Sequence, residues 1–218
     1  MDSPSAGCDV SGTVAPEIGK ELKSWDSRLA RWCMSPFAKT RLQPNHITSL
    51  SLAAGLLGAA SYAEGTVAAM NLGALLYALS IFLDHCDGEL ARLTRRMSAF
   101  GHAYDRAVDL IVKLAIFSGM GLGLGQGSMG TPAIVMGAIA GLAFVAIFML
   151  RSRIAKLAGH MPDQPAMGGF EIEDILYLVA PITWFQLLPA FIAAASIGAP
   201  AFALFSFWQL RRTATRGA

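Results

Sequence analysis

Apolar residues form long, nearly continuous runs along the chain, and polar residues interrupt them at regular intervals. The runs cover residues 47–63, 68–86, 104–124, 132–150, 172–188 and 190–210. A helix crosses a bilayer with about 20 apolar residues. The pattern therefore predicts an all-α, polytopic membrane protein with about six transmembrane helices. Turn signals stand at 64–65, 125–131 and Pro189, and a turn at 196–200 is the alternative for the last division.

A different pattern precedes the first run. Between residues 16 and 43, Ile18, Leu22, Trp25, Leu29 and Trp32 recur near the helical period, and basic residues fall elsewhere on the wheel. This is typical of an amphipathic helix in the headgroup region of a membrane, although a helix packed on the protein itself has the same pattern. Residues 1–15 are polar and rich in small residues, which predicts a disordered tail.

Composition supports the membrane interpretation. The chain is 54% hydrophobic and only 15% charged, whereas a soluble domain carries about 25% charged residues. We therefore expect one transmembrane domain over residues 44–212, surrounded by membrane lipids, with a short cytoplasmic tail at 213–218. The net charge is only +2, which indicates no nucleic-acid partner.

Positive charge sets the predicted orientation. Basic residues lie before the first run, after the second, after the fourth and after the sixth, and the alternate loops have none: Lys39, Arg41; Arg92, Arg95, Arg96; Arg151, Arg153, Lys156; Arg211, Arg212, Arg216. The positive-inside rule places all these loops in the cytoplasm. Both ends of the domain are then cytoplasmic.

Four aspartates interrupt the apolar pattern near the second cytoplasmic loop. Asp84 and Asp87 are three residues apart, and Asp105 and Asp109 are four apart, so each pair shares one helix face. A carboxylate within a bilayer costs about 2.5–3.5 kcal/mol, so such residues are usually functional. Oxygen ligands select Mg²⁺ or Mn²⁺, and a pair of such ions suits in-line displacement at phosphorus. The alternative is four separate, solvated aspartates at helix ends.

The spacing of the conspicuous residues between positions 84 and 109 resembles a known sequence signature. The pattern resembles the complete signature of the CDP-alcohol phosphotransferase family, at Asp84, Asp87, Gly88, Ala91, Arg92, Gly101, Asp105 and Asp109. Pro44, Asn45 and Thr48 are similar to a short motif at the start of the family's first span. The resemblance implies transfer of a phosphoryl-alcohol group from a CDP-linked donor to a hydroxyl acceptor, with release of CMP.

The resemblance also implies a role for each of the four aspartates. Asp84 and Asp105 would bridge two metal ions, Asp87 would bind the first, and Asp109 would contact the second and act as general base. The residues implied for substrate binding are Asn45, Thr48, Gly88, Ala91, Arg92, Ser98 and Gly101. CDP-diacylglycerol in phospholipid synthesis is the expected donor, and a soluble CDP-polyol is the alternative. The family further implies a homodimer; we expect an integral protein of the bacterial inner membrane whose site faces the cytoplasm.

The sequence is compatible with more than one class of acceptor alcohol. Arg151 and Arg153 are either topology determinants or ligands for an anionic acceptor. Acidic residues at 171, 173 and 174 instead favour a neutral or cationic alcohol, unless they pair with these arginines. His85, between two predicted ligands, is interpreted as a packing residue.

A function of another class, cation or proton transport, would also use buried aspartates. Transporters usually spread acidic residues over several spans and contain repeats, and the chain shows neither. Small residues at four-residue spacing, Gly121 with Gly125 and Gly137 with Gly141, predict a close helix contact, either internal or across a dimer.

Overall fold

The fold is known from a computed structural model that describes residues 25–127, 129–158 and 176–216. The described part is helical and contains no strand. Its elements are α1 (Trp25–Met34), a 3₁₀ helix (Ser35–Lys39), α2 (Pro44–Ala63), α3 (Val67–Thr94), α4 (Ala99–Gly125), α5 (Thr131–Ala158), α6 (Val179–Trp184) and α7 (Leu188–Arg216). The all-α prediction is confirmed.

Four of the described helices, α3, α4, α5 and α7, are long and apolar enough to cross a membrane. They coincide with four of the six predicted spans. Helix α2 has 20 residues, which is about 30 Å of helix, but it is not among these four candidate spans. The predicted span 172–188 begins outside the described residues, and its described part ends in the six-residue helix α6. The described part therefore contains four clear spans, and the count of about six is not confirmed.

The last division of the chain lies at 185–187, just before Pro189. Gln186 has a left-handed backbone with φ of 60°, and α7 begins at Leu188. Pro189 is thus in the first turn of α7, where the missing N–H removes no helical hydrogen bond. The alternative turn at 196–200 is wrong, because those residues lie inside α7.

The segment before the first span forms two short helices within its described part. Ala30 of α1 is fully buried and packs in one apolar cluster with Cys86 and Leu90 of α3. Trp32, on another side of α1, is 75% exposed. One side of α1 thus packs on the protein while an aromatic side chain remains available to a membrane surface. Residues 16–24 of the predicted interfacial helix lie outside the described residues.

Helix α2 packs against both α3 and α4 and links them. A Cβ atom on Gly55 of α2 would lie 2.6 Å from Val112 of α4 and 3.0 Å from Ser80 of α3. At the other end of α2, the Tyr62 hydroxyl hydrogen-bonds to Thr183 of α6 over 2.8 Å. The core of the bundle therefore forms around α2, whose small residues let both neighbours approach closely.

The small residues of α4 and α5 make an internal contact. A Cβ atom on Gly137 would lie 2.5 Å from the Phe117 carbonyl oxygen, and one on Gly121 would lie 2.8 Å from that of Ala133. Of the two alternatives left open by the sequence, the structure shows the contact within the chain.

Candidate active site

The aspartates are positioned by the turn between α3 and α4. Helix α3 ends at Arg95, which has a left-handed φ of 54°. Helix α4 begins after Ser98, whose Oγ accepts a hydrogen bond from the Gly101 N–H over 2.9 Å and so caps the helix. The chain therefore reverses within a few residues, and the C-terminal half of α3 faces the first turns of α4.

Three of the four predicted metal ligands come together. Asp84, Asp87 and Asp105 each offer a carboxylate oxygen, and these oxygens all lie within 4.8 Å of one another. We call them the three-aspartate cluster. Oxygens bound to one Mg²⁺ stand at most about 4.2 Å apart, twice the metal–oxygen distance. The cluster therefore has the ligand chemistry and nearly the spacing that a hard divalent cation requires.

Thr48 of α2 fixes one member of this cluster. Its buried hydroxyl donates a hydrogen bond to Oδ2 of Asp87 over 2.5 Å. The carbonyl oxygen of Pro44 lies 3.2 Å from the same hydroxyl. The hydrogen bond holds the Asp87 carboxylate in one orientation and ties α3 to α2, which carries no aspartate.

The fourth aspartate has a different partner. Oδ2 of Asp109 lies 2.7 Å from Nζ of Lys113, one turn further along α4. The same ammonium lies 5.7 Å from the centre of the Phe148 ring of α5, a distance typical of a cation–π contact. Sequence reasoning did not identify Lys113, although an acid and a base four residues apart on a helix are a usual ion pair.

A cavity of about 210 Å³ opens beside the cluster, between the C-terminal end of α3, the N-terminal end of α4 and the start of α2. We call it the outer cavity. Its lining includes every residue that sequence reasoning assigned to substrate binding: Asn45, Thr48, Gly88, Ala91, Arg92, Ser98 and Gly101. Asp87 and Asp105 form part of its wall, and Arg96 and His102, which sequence reasoning did not assign, add polar groups.

Arg92 is held at this cavity by Glu89. Its Nε and Nη2 donate to Oε1 of Glu89 over 3.1 and 2.9 Å. The Glu89 side chain is fully buried, whereas that of Arg92 is 53% exposed. Sequence reasoning missed Glu89, whose signal is the three-residue spacing to Arg92.

A second, smaller cavity of about 30 Å³ lies on the other side of Asp84, further from the helix ends. We call it the inner cavity. It is lined by Asp84, His85, Asp109 and Lys113 together with Ser51, Tyr77, Ser80, Ile81, Val108, Val112 and Leu176. Its volume suits one or two water molecules. His85 thus does more than fill space between helices, because part of its side chain borders this polar volume.

The predicted acceptor residues lie elsewhere. Arg151 and Arg153 are near the end of α5, and neither lines the outer or the inner cavity. Nη2 of Arg151 is buried and has no hydrogen-bond partner in the described part of the chain, and Arg153 is exposed. The acidic residues at 171, 173 and 174 lie outside the described residues.

Curated relatives resemble parts of the chain. A bifunctional IPC transferase and DIPP synthase from Rubrobacter xylanophilus is 34% identical over 128 residues, 57% of this chain and 27% of that protein. An archaetidylinositol phosphate synthase from Pyrococcus horikoshii is 35% identical over 86 residues, 39% of this chain and 44% of that protein. The alignments therefore span less than half the length of either relative.

Solved structures share the fold. Phosphatidylinositol phosphate synthase of Mycobacterium tuberculosis with CDP-DAG bound superposes with a TM-score of 0.58 and 21% identity, over 88% of this chain and 93% of that one. The same protein in complex with manganese and citrate gives a TM-score of 0.59 at 21% identity, covering 88% of each chain.

The protein-family model for CDP-alcohol phosphatidyltransferases matches residues 41–209. This range includes three of the four candidate spans in full, most of α7 and the three-aspartate cluster. The chain therefore belongs to the CDP-alcohol phosphatidyltransferase family.

Proposed function

We propose that this protein transfers a phosphatidyl-type group from a CDP-diacylglycerol-type lipid to a hydroxyl of a phosphorylated inositol, with CMP as leaving group. The observation that carries the proposal is the three-aspartate cluster in the wall of the outer cavity. An anionic diphosphate would enter such a cluster only with cations between the two.

The outer cavity is the proposed donor site. Arg92, held by Glu89, is positioned to bind a phosphate oxygen with its remaining donors. Asn45, Ser98 and Gly101 form the rim, where polar contacts to the nucleotide are available. Apolar residues of the membrane-spanning helices would accommodate the lipid chains.

Divalent cations are the proposed cofactor, Mg²⁺ or Mn²⁺, two per site. Asp84, Asp87 and Asp105 would hold the first ion, and Asp109 would complete the second together with Asp84 and Asp105. Such cations withdraw electron density from the phosphoryl group and stabilise charge on the leaving group.

Asp109 is the proposed general base. Its carboxylate accepts the proton of the acceptor hydroxyl while the new oxygen–phosphorus bond forms, and the bond from phosphorus to the CMP oxygen breaks. Arg92 and the surrounding N–H groups orient the diphosphate during this exchange. The protonated Asp109 then returns its proton to solvent.

The acceptor assignment rests on two supports. The curated archaetidylinositol phosphate synthase and the structurally similar phosphatidylinositol phosphate synthase are both named for an inositol phosphate product. Arg151 has a buried guanidinium nitrogen without a hydrogen-bond partner among the described residues, and a phosphate on the acceptor would supply one. Arg153 is the second proposed acceptor ligand.

The basic residues of the turn between α3 and α4 lie at the same end of the bundle as the outer cavity. By the positive-inside rule this end would face the cytoplasm. We further propose a homodimer in the bacterial inner membrane, on the family resemblance alone.

The test is product identification with the purified full-length protein in nanodiscs. We expect metal-dependent CMP release and a phosphorylated inositol lipid by mass spectrometry when CDP-diacylglycerol and inositol phosphate are supplied. Product from a soluble CDP-polyol would favour the alternative donor. No CMP release with any acceptor, together with cation flux in liposomes, would overturn the proposal in favour of transport.

Asp109→Asn tests the proposed base. We expect turnover to fall by at least about 10²-fold, since general base catalysis contributes that much, while donor binding is partly retained. Full activity in this variant would remove Asp109 from the mechanism.

A further inference from the structure

We infer that Lys113 is a positioning residue that occupies the place of the second cation: its ammonium holds Asp109 apart from the three-aspartate cluster until a divalent ion displaces it. The inference rests on the proposed two-cation reaction and concerns how that site is assembled. No residue of the family signature specifies this lysine.

The first observation is the position of Lys113. It lies within a membrane-spanning helix, about four turns from the start of α4, and its side chain is only 14% exposed. A lysine at such a place is costly unless it is paired, and it usually marks a functional site. Its described contacts include the Asp109 carboxylate at 2.7 Å and the Phe148 ring at 5.7 Å.

The second observation is the separation of the four aspartates. The carboxylate oxygens of Asp84, Asp87 and Asp105 gather within 4.8 Å, and Asp109 is not part of this group. Both Asp109 and Lys113 instead line the inner cavity, with Asp84 between this cavity and the outer one.

The charges of the three-aspartate cluster and of the Asp109–Lys113 pair predict how tightly each would bind a divalent ion. The three-aspartate cluster carries up to three negative charges, and one divalent ion leaves at most one. The Asp109–Lys113 pair is neutral in total. To bind Asp109, a second divalent ion must therefore break the Asp109–Lys113 ion pair. The positive charge of Lys113 also repels the ion. The two ions should bind with unequal affinity, the first tightly and the second weakly.

This arrangement has a consequence for the reaction cycle. The second ion would bind well only when the donor diphosphate adds its own negative charge. Asp109 would then be released from Lys113 at the moment when a base is required. Lys113 thereby keeps the proposed base inactive in the absence of donor.

The experiment measures Mn²⁺ binding by electron paramagnetic resonance in the purified full-length protein, without donor or acceptor. In the wild type we expect one tight and one weak class of ion per chain. Lys113→Met should tighten the weak class by at least about tenfold, since removing a like charge next to a cation favours binding. Lys113→Arg should leave it weak, and Asp109→Asn should abolish it while keeping the tight class.

The controls separate this inference from general damage. Lys39→Met removes an exposed lysine from the 3₁₀ helix and should leave both classes unchanged. Lys113→Gln, which keeps a polar group at the buried position, serves if the Met variant does not fold. A folded variant whose weak class is unchanged or weaker overturns the inference, because removing an ammonium from the place of the second cation must tighten binding there.

Failure of this inference and failure of the proposed function can be distinguished. If the wild type released no CMP but the weak class tightened in Lys113→Met, the transferase proposal would fail and the inference would stand. If the wild type were active and the weak class did not respond, the inference alone would fail.

Discussion

The outer and inner cavities share the three-aspartate cluster as a wall, yet they differ in almost every other respect. The outer cavity is about seven times larger, at about 210 Å³ against 30 Å³. Its lining comes from helix ends and from the turn before α4, and it is rich in polar groups. The inner cavity is enclosed by the middle turns of α2, α3 and α4 together with Leu176, and both polar and apolar side chains line it.

The two cavities differ in the chemical groups that they offer to a ligand. Helix ends and turns offer N–H groups, arginine and serine, which can bind a nucleotide diphosphate. In the middle of a helix, only side chains are available to bind a ligand. At the inner cavity these side chains include the Asp109–Lys113 pair, Ser51 and Ser80. We therefore expect substitutions at the outer cavity to change donor affinity, and those at the inner cavity other than Asp109 to change stability or metal response.

The largest effect is expected where the two cavities meet. Asp105→Asn removes a charge from the three-aspartate cluster, so CMP release should fall by about 10³-fold or more, since a metal-dependent reaction loses its ion. Glu64→Gln, an equivalent change in the exposed loop between α2 and α3, is the matched control and should retain full activity. Activity in Asp105→Asn within tenfold of the wild type would mean that the cluster is not the reaction centre.

An intermediate effect is expected at the outer cavity. Arg92→Gln removes the cation held by Glu89, and a hydrogen bond to a charged group is worth about 1.5–3 kcal/mol. The KM for the CDP-linked donor should therefore rise about 10- to 100-fold, with a much smaller change in kcat, in steady-state assays of CMP release. Arg95→Gln changes a neighbouring arginine that does not line the cavity, and its KM should stay within about threefold of the wild type. Equal shifts in both variants would indicate a general charge effect instead of a donor site.

The smallest effect is expected from the serines of the inner cavity. Ser51 donates to the Ser80 carbonyl oxygen over 2.9 Å, and Ser80 donates to that of Ser51 over 2.8 Å. Ser51→Ala removes one of these interhelical bonds and should cost about 1 kcal/mol of stability, seen as a lower Tm in detergent, with unchanged donor KM. Ser196→Ala is the control, because that hydroxyl bonds within its own helix. A raised donor KM in Ser51→Ala would contradict the division between the two cavities.

The sequence predicted the elements of the site well, because helical spacing is a local property. Offsets of three and four residues put Asp84 with Asp87 on one face, and the short turn at Arg95 and Ser98 was readable as a reversal of the chain. These residue offsets and the short turn together predict that the aspartates of α3 and α4 face a common cleft. Its partners across helices, such as the hydrogen bond from Thr48 to Asp87, depend on how three helices pack, which no local pattern encodes.

Other features could have been recognised but were not. Lys113 and Glu89 stand four and three residues from charged partners, and that spacing is a usual signal of an intrahelical ion pair. The end of the chain was harder to predict, because residues 172–210 are apolar with few breaks. The chain turns at Gln186, whose left-handed backbone no hydrophobicity pattern indicates.

Helix α2 has no acidic residue along its 20 positions, yet it is wedged between the two helices that bear the carboxylates. A side chain at its Gly55 would meet both of them, and its Thr48 donates a hydrogen bond to Asp87. The distance between the two carboxylate-bearing helices is therefore set by a helix that carries no carboxylate. A bulkier or smaller side chain along α2 should change the spacing of the aspartates without altering any of them.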